Sequence, residues 1–272
     1  SGINNGVNVW RIGEEKPLYH WGHQGEGNNL VISIHIAADN SYAVTADREA
    51  FALWSLETGE PEGFWRIDEA SIRDVAVTKG ILVARSNGKV MFFEPRTQRR
   101  LEFLGHQEKV NSIDISPNGK YSLTGGNDYI AYLWSTDTGQ IIHSFTHPTR
   151  VSKVALDDSG RFAFTADSQN KSQIWNVQTG EPVSTLRYFA RQRIFTDAEF
   201  SKDGKYLLTG SPSRQVYLWN VEDGSQEENW QVASRESVSP PTAVVYGVAF
   251  QSNGTIVTES SSGLAEVWQW EK

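Results

Sequence analysis

A bulky aromatic recurs along this chain at nearly even intervals. Trp10, Trp54, Phe93, Trp134, Trp175, Trp219 and Trp268 are separated by 44, 39, 41, 41, 44 and 49 residues. Each closes a short run of alternating apolar residues, and a period of about 40 to 45 residues is that of a propeller blade. A turn follows at once in Leu56-Glu57-Thr58-Gly59, Thr136-Asp137-Thr138-Gly139, Val177-Gln178-Thr179-Gly180 and Val221-Glu222-Asp223-Gly224. A second turn recurs upstream as Ser116-Pro117-Asn118-Gly119, Asp157-Asp158-Ser159-Gly160, Ser201-Lys202-Asp203-Gly204 and Gln251-Ser252-Asn253-Gly254. It follows alternating positions such as Val110, Ile113 and Ile115, the pattern of a half-buried strand.

Four short strands per repeat, without helical periodicity and without room for a crossover helix, predict an all-β fold of four-stranded antiparallel blades. One blade cannot bury both of its faces, so blades must stack, and aromatics packed between sheets account for the ten Trp. Residues 1–272 read as a single propeller domain.

The repeat resembles the WD40 family. Gly105-His106, Thr124, Asp128 and Trp134 stand at that family's spacing, and the resemblance implies that His106, Thr124, Asp128 and Trp134 form a buried, hydrogen-bonded tetrad of structural purpose. Gly22-His23 heads a second such blade with Thr45, Asp47 and Trp54, and Thr165, Thr209 and Thr258 keep the second-strand hydroxyl. The blade ending at Phe93 has lost both its Trp and its Gly-His. The Asp that follows Trp in the signature is replaced throughout, by Arg11, Ser55, Glu94, Ser135, Asn176, Asn220 and Gln269. Such decay is compatible with many bacterial WD40-like proteins, and a bacterial origin is the expectation. A rival resemblance is to the propellers of quinoprotein dehydrogenases and outer-membrane assembly factors; the Gly-His pair and the Ser-Pro-Asn-Gly-like turns favour WD40.

First strands are expected to start near Asn29, Ser71, Lys109, Arg150, Ile194 and Val244, while the chain opens and ends on third strands. The expectation is seven blades in the intact protein, the first incomplete in this chain, since rings of this family close by pairing an N-terminal strand with the last three. The alternative is a six-bladed ring closed by Pro17 to Trp21, with Val7 to Trp10 as a spare strand. A secretory or lipoprotein signal, if the protein has one, would lie upstream; the protein would then be periplasmic or lipid-anchored, and otherwise cytoplasmic.

Composition narrows the chemistry. A net charge of -8 argues against wrapping nucleic acid, and the absence of Cys removes disulfides, thiolate metal sites and cysteine nucleophiles. No run approaches the roughly 18 apolar residues of a membrane span. The six His lack metal-ligand spacing: His106 and His23 fit tetrads, and His147 stands where a Gly-His would be. Ser211-Pro212-Ser213 and Ser260-Ser261-Ser262 read as turns rather than nucleophile elbows. No cofactor is expected and no enzymatic activity.

Surface loops remain. Arg48, Arg73, Lys109, Arg150, Arg193 and Arg214 map to the loops before first strands and between second and third strands, where WD40 partners dock, against a background of ordinary loop charge. Arg187-Tyr188-Phe189-Ala190-Arg191-Gln192-Arg193 interleaves aromatics with cations, so Tyr188 joins them as a candidate anchor. The loop from Ser234 to Thr242, with Pro240-Pro241, is a further place for specificity. The expected function is a non-enzymatic scaffold for a protein or peptide partner. An envelope assembly factor and a propeller enzyme with a channel site are the alternatives.

Overall fold

The computed structural model describes residues 6–23, 30–188, 194–234 and 241–270. Every regular element among them is a β-strand, and no helix is long and apolar enough to cross a membrane. The strands form seven sheets in chain order, five of four strands, one of three and one of two. The structure is thus all-β, built of propeller blades.

Blade one pairs Val7–Val9 with Tyr19–Trp21, so Val7–Val9 is a paired strand and not a spare one. Blade two comprises Ser33–Ile36, Tyr42–Ala46, Ala50–Ser55 and Pro61–Arg66, and blade three Ile72–Val77, Ile81–Arg85, Val90–Glu94 and Arg99–Phe103. Blade four comprises Val110–Ile115, Tyr121–Gly126, Ile130–Ser135 and Ile141–Thr146. Blade five holds Val151–Leu156, Phe162–Asp167, Ser172–Asn176 and Pro182–Thr185, and blade six Asp197–Phe200, Tyr206–Gly210, Gln215–Asn220 and Gln226–Gln231. Blade seven holds Val245–Phe250, Thr255–Ser260 and Ala265–Gln269. By compactness the chain divides into one unit of residues 1–122 with 135–140 and another of 123–134 with 141–272.

Burial explains the strand order. The third strand Ala50–Ser55 is buried at every position, whereas the fourth, Pro61–Arg66, alternates exposed and half-buried residues. Apolar residues thus concentrate on inner strands, and polar ones tolerate the outer edge. The sheets are joined by their aromatics: Trp21 of blade one stacks on Trp54 of blade two at 5.1 Å, Trp65 of blade two meets Phe93 of blade three edge-on at 5.2 Å, and Phe145 stacks on Trp175 at 4.4 Å. A fourth-strand ring therefore covers the next blade's third-strand ring. The recurring aromatics are inter-sheet core.

The third-strand aromatic is also where register breaks. Against the fourth strand a bulge falls at Leu53/Trp54, Leu133/Trp134, Ile174/Trp175 and Leu218/Trp219. Each bulge sharpens strand twist at the ring that must reach the neighbouring sheet.

The degenerate signature has a local explanation. Where the family has Asp, Asn176 Oδ1 accepts the amides of Gln178 and Thr179 at 2.9 and 3.0 Å, Asn220 Oδ1 that of Glu222 at 2.9 Å, and Ser55 Oγ that of Thr58 at 3.2 Å. Asn and Ser close the turn as Asp would. Its glycine is obligatory in blade six: Gly224 has φ 72°, and a Cβ there would overlap the Thr185 carbonyl.

Candidate functional site

The buried polar groups of the repeats come first. In blade two, Thr45 Oγ1 accepts a hydrogen bond from Trp54 Nε1 at 2.8 Å and lies 2.6 Å from His23 Nε2; His23 Nδ1 stands 3.3 Å from Asp47 Oδ2. Asp47 Oδ1 meanwhile accepts the amides of Glu49 and Ala50, fixing the hairpin. Blade five repeats the set: His147 Nε2 lies 2.9 Å from Thr165 Oγ1, Trp175 Nε1 donates to Thr165 Oγ1 at 2.7 Å, and Asp167 Oδ2 stands 3.8 Å from His147 Nδ1. Thr165-Ala166-Asp167 repeats the spacing of Thr45-Ala46-Asp47, the signal that marks Asp167 as the blade-five carboxylate. In blades six and seven the Trp indoles of Trp219 and Trp268 donate to Thr209 and Thr258. In blade four His106, Thr124 and Trp134 are buried, and Asp128 is partly buried with Oδ1 3.4 Å from the Ile130 amide.

Both blade-two and blade-five imidazoles are neutral structural groups. Burial pushes the His147 imidazole down from 6.5 to about 4, the nearby Lys171 charge adding to this and Asp167 opposing it. Burial likewise lowers His23 against the pull of Asp47. A neutral imidazole donates from one nitrogen and accepts at the other, which suits a link between a hydroxyl and a carboxylate.

Blade three shows how the set is lost coherently. Val83 and Phe93 occupy the places of Thr and Trp, so donor and acceptor disappear together. Arg85, buried to 1% exposure, takes the place of the Asp and donates from Nη2 to Glu102 Oε1 at 2.6 Å, with Nη1 3.7 Å from Glu69. The Arg85 hydrogen bond holds the Glu102 carboxyl below its ordinary value.

First strands carry carboxylates, and these are engaged too. Asp74 accepts Ser33 Oγ of blade two at 2.7 Å and the Ile113 amide of blade four at 2.9 Å. Asp197 repeats this arrangement, accepting Lys153 Nζ of blade five at 2.7 Å and the Val248 amide of blade seven at 3.0 Å. Glu199 accepts the Phe250 amide at 3.2 Å. These side chains clip neighbouring blades together and satisfy amides that first strands leave open. Among the described residues no group of three or more His, Asp or Glu is arranged to hold a metal ion.

The loop cations behave differently. Arg48, Arg73 and Arg150 are exposed, and Lys109 and Arg214 partly so. Among the described residues none of the five pairs with a carboxylate, whereas Arg66, Arg85, Arg99, Arg100, Lys153 and Arg161 do. Backbone bonding brings some of them together: the Arg48 carbonyl accepts the Ile72 amide at 2.8 Å, placing Arg48 beside Arg73. Arg214 is tied locally, its Nε donating to the Val232 carbonyl at 2.9 Å. Tyr188 is partly buried, its hydroxyl 2.8 Å from Ser172 Oγ and its ring edge-on to Phe195 and Trp219, a core-facing position. Arg193 and most of the Ser234 to Thr242 loop lie outside the described residues.

Sequence comparison agrees with this construction. The WD40 family model, described as WD domain, G-beta repeat, matches residues 97–135 and 180–220, each running into a third strand and its Trp. Two segments of the chain thus match the WD40 repeat. It is similar to polyadenylation factor subunit 2 of Cryptococcus neoformans var. neoformans serotype D, 26% identical over 92 residues, which cover 33% of this chain and 13% of that protein. It is also similar to eukaryotic translation initiation factor 3 subunit I of Meyerozyma guilliermondii, 30% identical over 63 residues, or 23% of this chain and 18% of that protein. Both WD40 relatives are fungal, so they lend no support to the bacterial origin suggested by the decayed signature.

Proposed function

We propose that residues 1–272 act as one WD40 domain whose role is non-enzymatic: a rigid scaffold that presents loops to a protein or peptide partner. One contrast carries this reading. The buried His and Thr groups and the partly buried Asp74 and Asp197 are engaged in joining strands and blades, while Arg48, Arg73, Lys109 and Arg150 reach solvent without a carboxylate partner among the described residues. An acid–base site needs carboxylates aimed at open space; Asp74 and Asp197 instead accept backbone amides. On a chain of net charge -8, uncompensated loop cations favour an anionic protein surface as partner, and Arg is a frequent interface anchor.

The test is crosslinked affinity capture from native cells with the full-length protein, comparing wild type with a variant reversing Arg73, Lys109, Arg150 and Arg193 to Glu. Proteins lost selectively from the variant support the scaffold and its docking loops. A partner set that is unchanged, or absent in both, counts against them.

A further inference from the structure

Four hairpins between second and third strands hold a residue in the left-handed region, each five positions before the third-strand aromatic: Gly88 (φ 84°), Tyr129 (φ 69°), Arg214 (φ 69°) and Gly263 (φ 87°). Glycine adopts this conformation freely, whereas a Cβ is crowded against the backbone. Arg214 has a compensating bond to Val232. Tyr129 has none: its side chain is 51% exposed and makes no hydrogen bond among the described residues. A bulky ring kept in a strained, exposed position where sister blades use glycine points to a role outside the fold.

Two cations stand on the loops next to Tyr129. Its carbonyl accepts the His147 amide at 2.8 Å, which sets the hairpin against the loop that ends in Arg150. The Arg150 carbonyl accepts the Ser168 amide at 3.1 Å, drawing in the hairpin of Lys171. Lys171 Nζ donates to the Thr146 carbonyl at 2.6 Å and stands 5.6 Å over the Trp175 ring. Neither Arg150 nor Lys171 has a carboxylate partner among the described residues. The carboxylates nearby are turned to the backbone: Asp167 Oδ1 accepts the Gln169 and Lys171 amides, and Asp128 Oδ1 faces that of Ile130.

We infer that Tyr129, flanked by Arg150 and Lys171, anchors an acidic linear peptide, the ring covering an apolar side chain while the two cations pair with carboxylates on either side of it. This rests on the scaffold reading and names its partner class and its central residue. Tyr beside Arg is a common composition for an interface centre, and cations that pair with no carboxylate among the described residues favour carboxylates in the peptide.

A phage-displayed random dodecamer library panned on the full chain tests it, with the strongest peptide synthesised and titrated by fluorescence anisotropy. The expected peptides carry an excess of Asp and Glu. Tyr129→Gly should weaken binding at least fivefold while leaving Tm equal or higher, because glycine relieves the left-handed backbone; Arg150→Glu should weaken it comparably at unchanged Tm. Peptides without an acidic excess, a loss below fivefold on either substitution, or a lower Tm for Tyr129→Gly overturns the proposal. Acidic peptides insensitive to Tyr129 but lost on reversing Arg73 and Lys109 overturn the anchor and leave the scaffold standing; no binder here and no partner in cell capture removes both.

Discussion

Thr45 Oγ1 accepts the Trp54 indole N–H and donates its own proton to His23 Nε2, whose Nδ1 faces Asp47. Replacing it by Val keeps the volume and removes both the acceptor for the indole and the donor for the imidazole. A buried indole N–H and a buried imidazole acceptor then lose their partner, so Thr45→Val should cost about 2 to 4 kcal/mol, read as a lower urea midpoint at constant slope. Blade three carries Val83 and Phe93 at these places and leaves no such orphan; a cost below about 1 kcal/mol would show that Thr45 is not the acceptor. His147 gives the same set a pH signature. Its imidazole titrates at 6.5 when unperturbed and at about 4 in the fold, so the unfolded chain takes up the proton first. The stability from the neutral ring is complete above about pH 6.5 and drains away as pH falls to about 4. A shift of that size corresponds to about 3 kcal/mol. Urea midpoints at pH 7, 5.5 and 4.5 should fall more steeply for wild type than for His147→Gln, and parallel slopes would remove His147 from the account.

At the scale of strands and turns, period and punctuation were readable because each is a local consequence of backbone chemistry. Expected first-strand starts near Ser71, Lys109, Arg150 and Val244 fall within a residue of Ile72, Val110, Val151 and Val245. Those near Asn29 and Ile194 run early, since Ser33 and Asp197 begin the observed strands. What could not be read depends on neighbours distant in sequence. The bulge before each third-strand Trp appears only when a fourth strand pairs with it. The reach of Asp74 to Ile113 and of Asp197 to Val248 likewise needs blades placed side by side. Tyr188 was singled out for its cationic surroundings, and packing against Phe195 and Trp219 determines where its ring lies. Tyr129 escaped notice because a left-handed φ leaves no mark in composition. Asn176 gives the element scale its own test: it closes a turn with two accepted amides. Asn176→Ala should cost about 1 kcal/mol while Asn176→Asp stays neutral or stabilises, measured by thermal melting; equal melting of all three would dismiss the capping role.

For the molecule as a whole, net charge and local charge pull in opposite directions. A chain carrying -8 repels an acidic partner at long range, yet the candidate loops present Arg48, Arg73 and Arg150 with no carboxylate partner among the described residues. Which effect wins depends on ionic strength, because the Debye length is about 10 Å at 0.1 M salt and about 3 Å at 1 M. Charges on opposite sides of a domain of this size are screened from an approaching partner at 0.1 M, while cations on the docking loops still act across the last few ångströms. Association with an acidic peptide should therefore slow by about tenfold between 0.05 and 0.5 M NaCl, with dissociation changing far less. Stopped-flow binding of wild type and Arg150→Glu separates the contributions. The variant should start slow and gain rate as salt is added, since its loops no longer oppose the molecule's overall negative charge. Equal salt slopes in the two proteins would mean that the loop cations do not guide the encounter, and docking would then have to rest on apolar contact at Tyr129 alone.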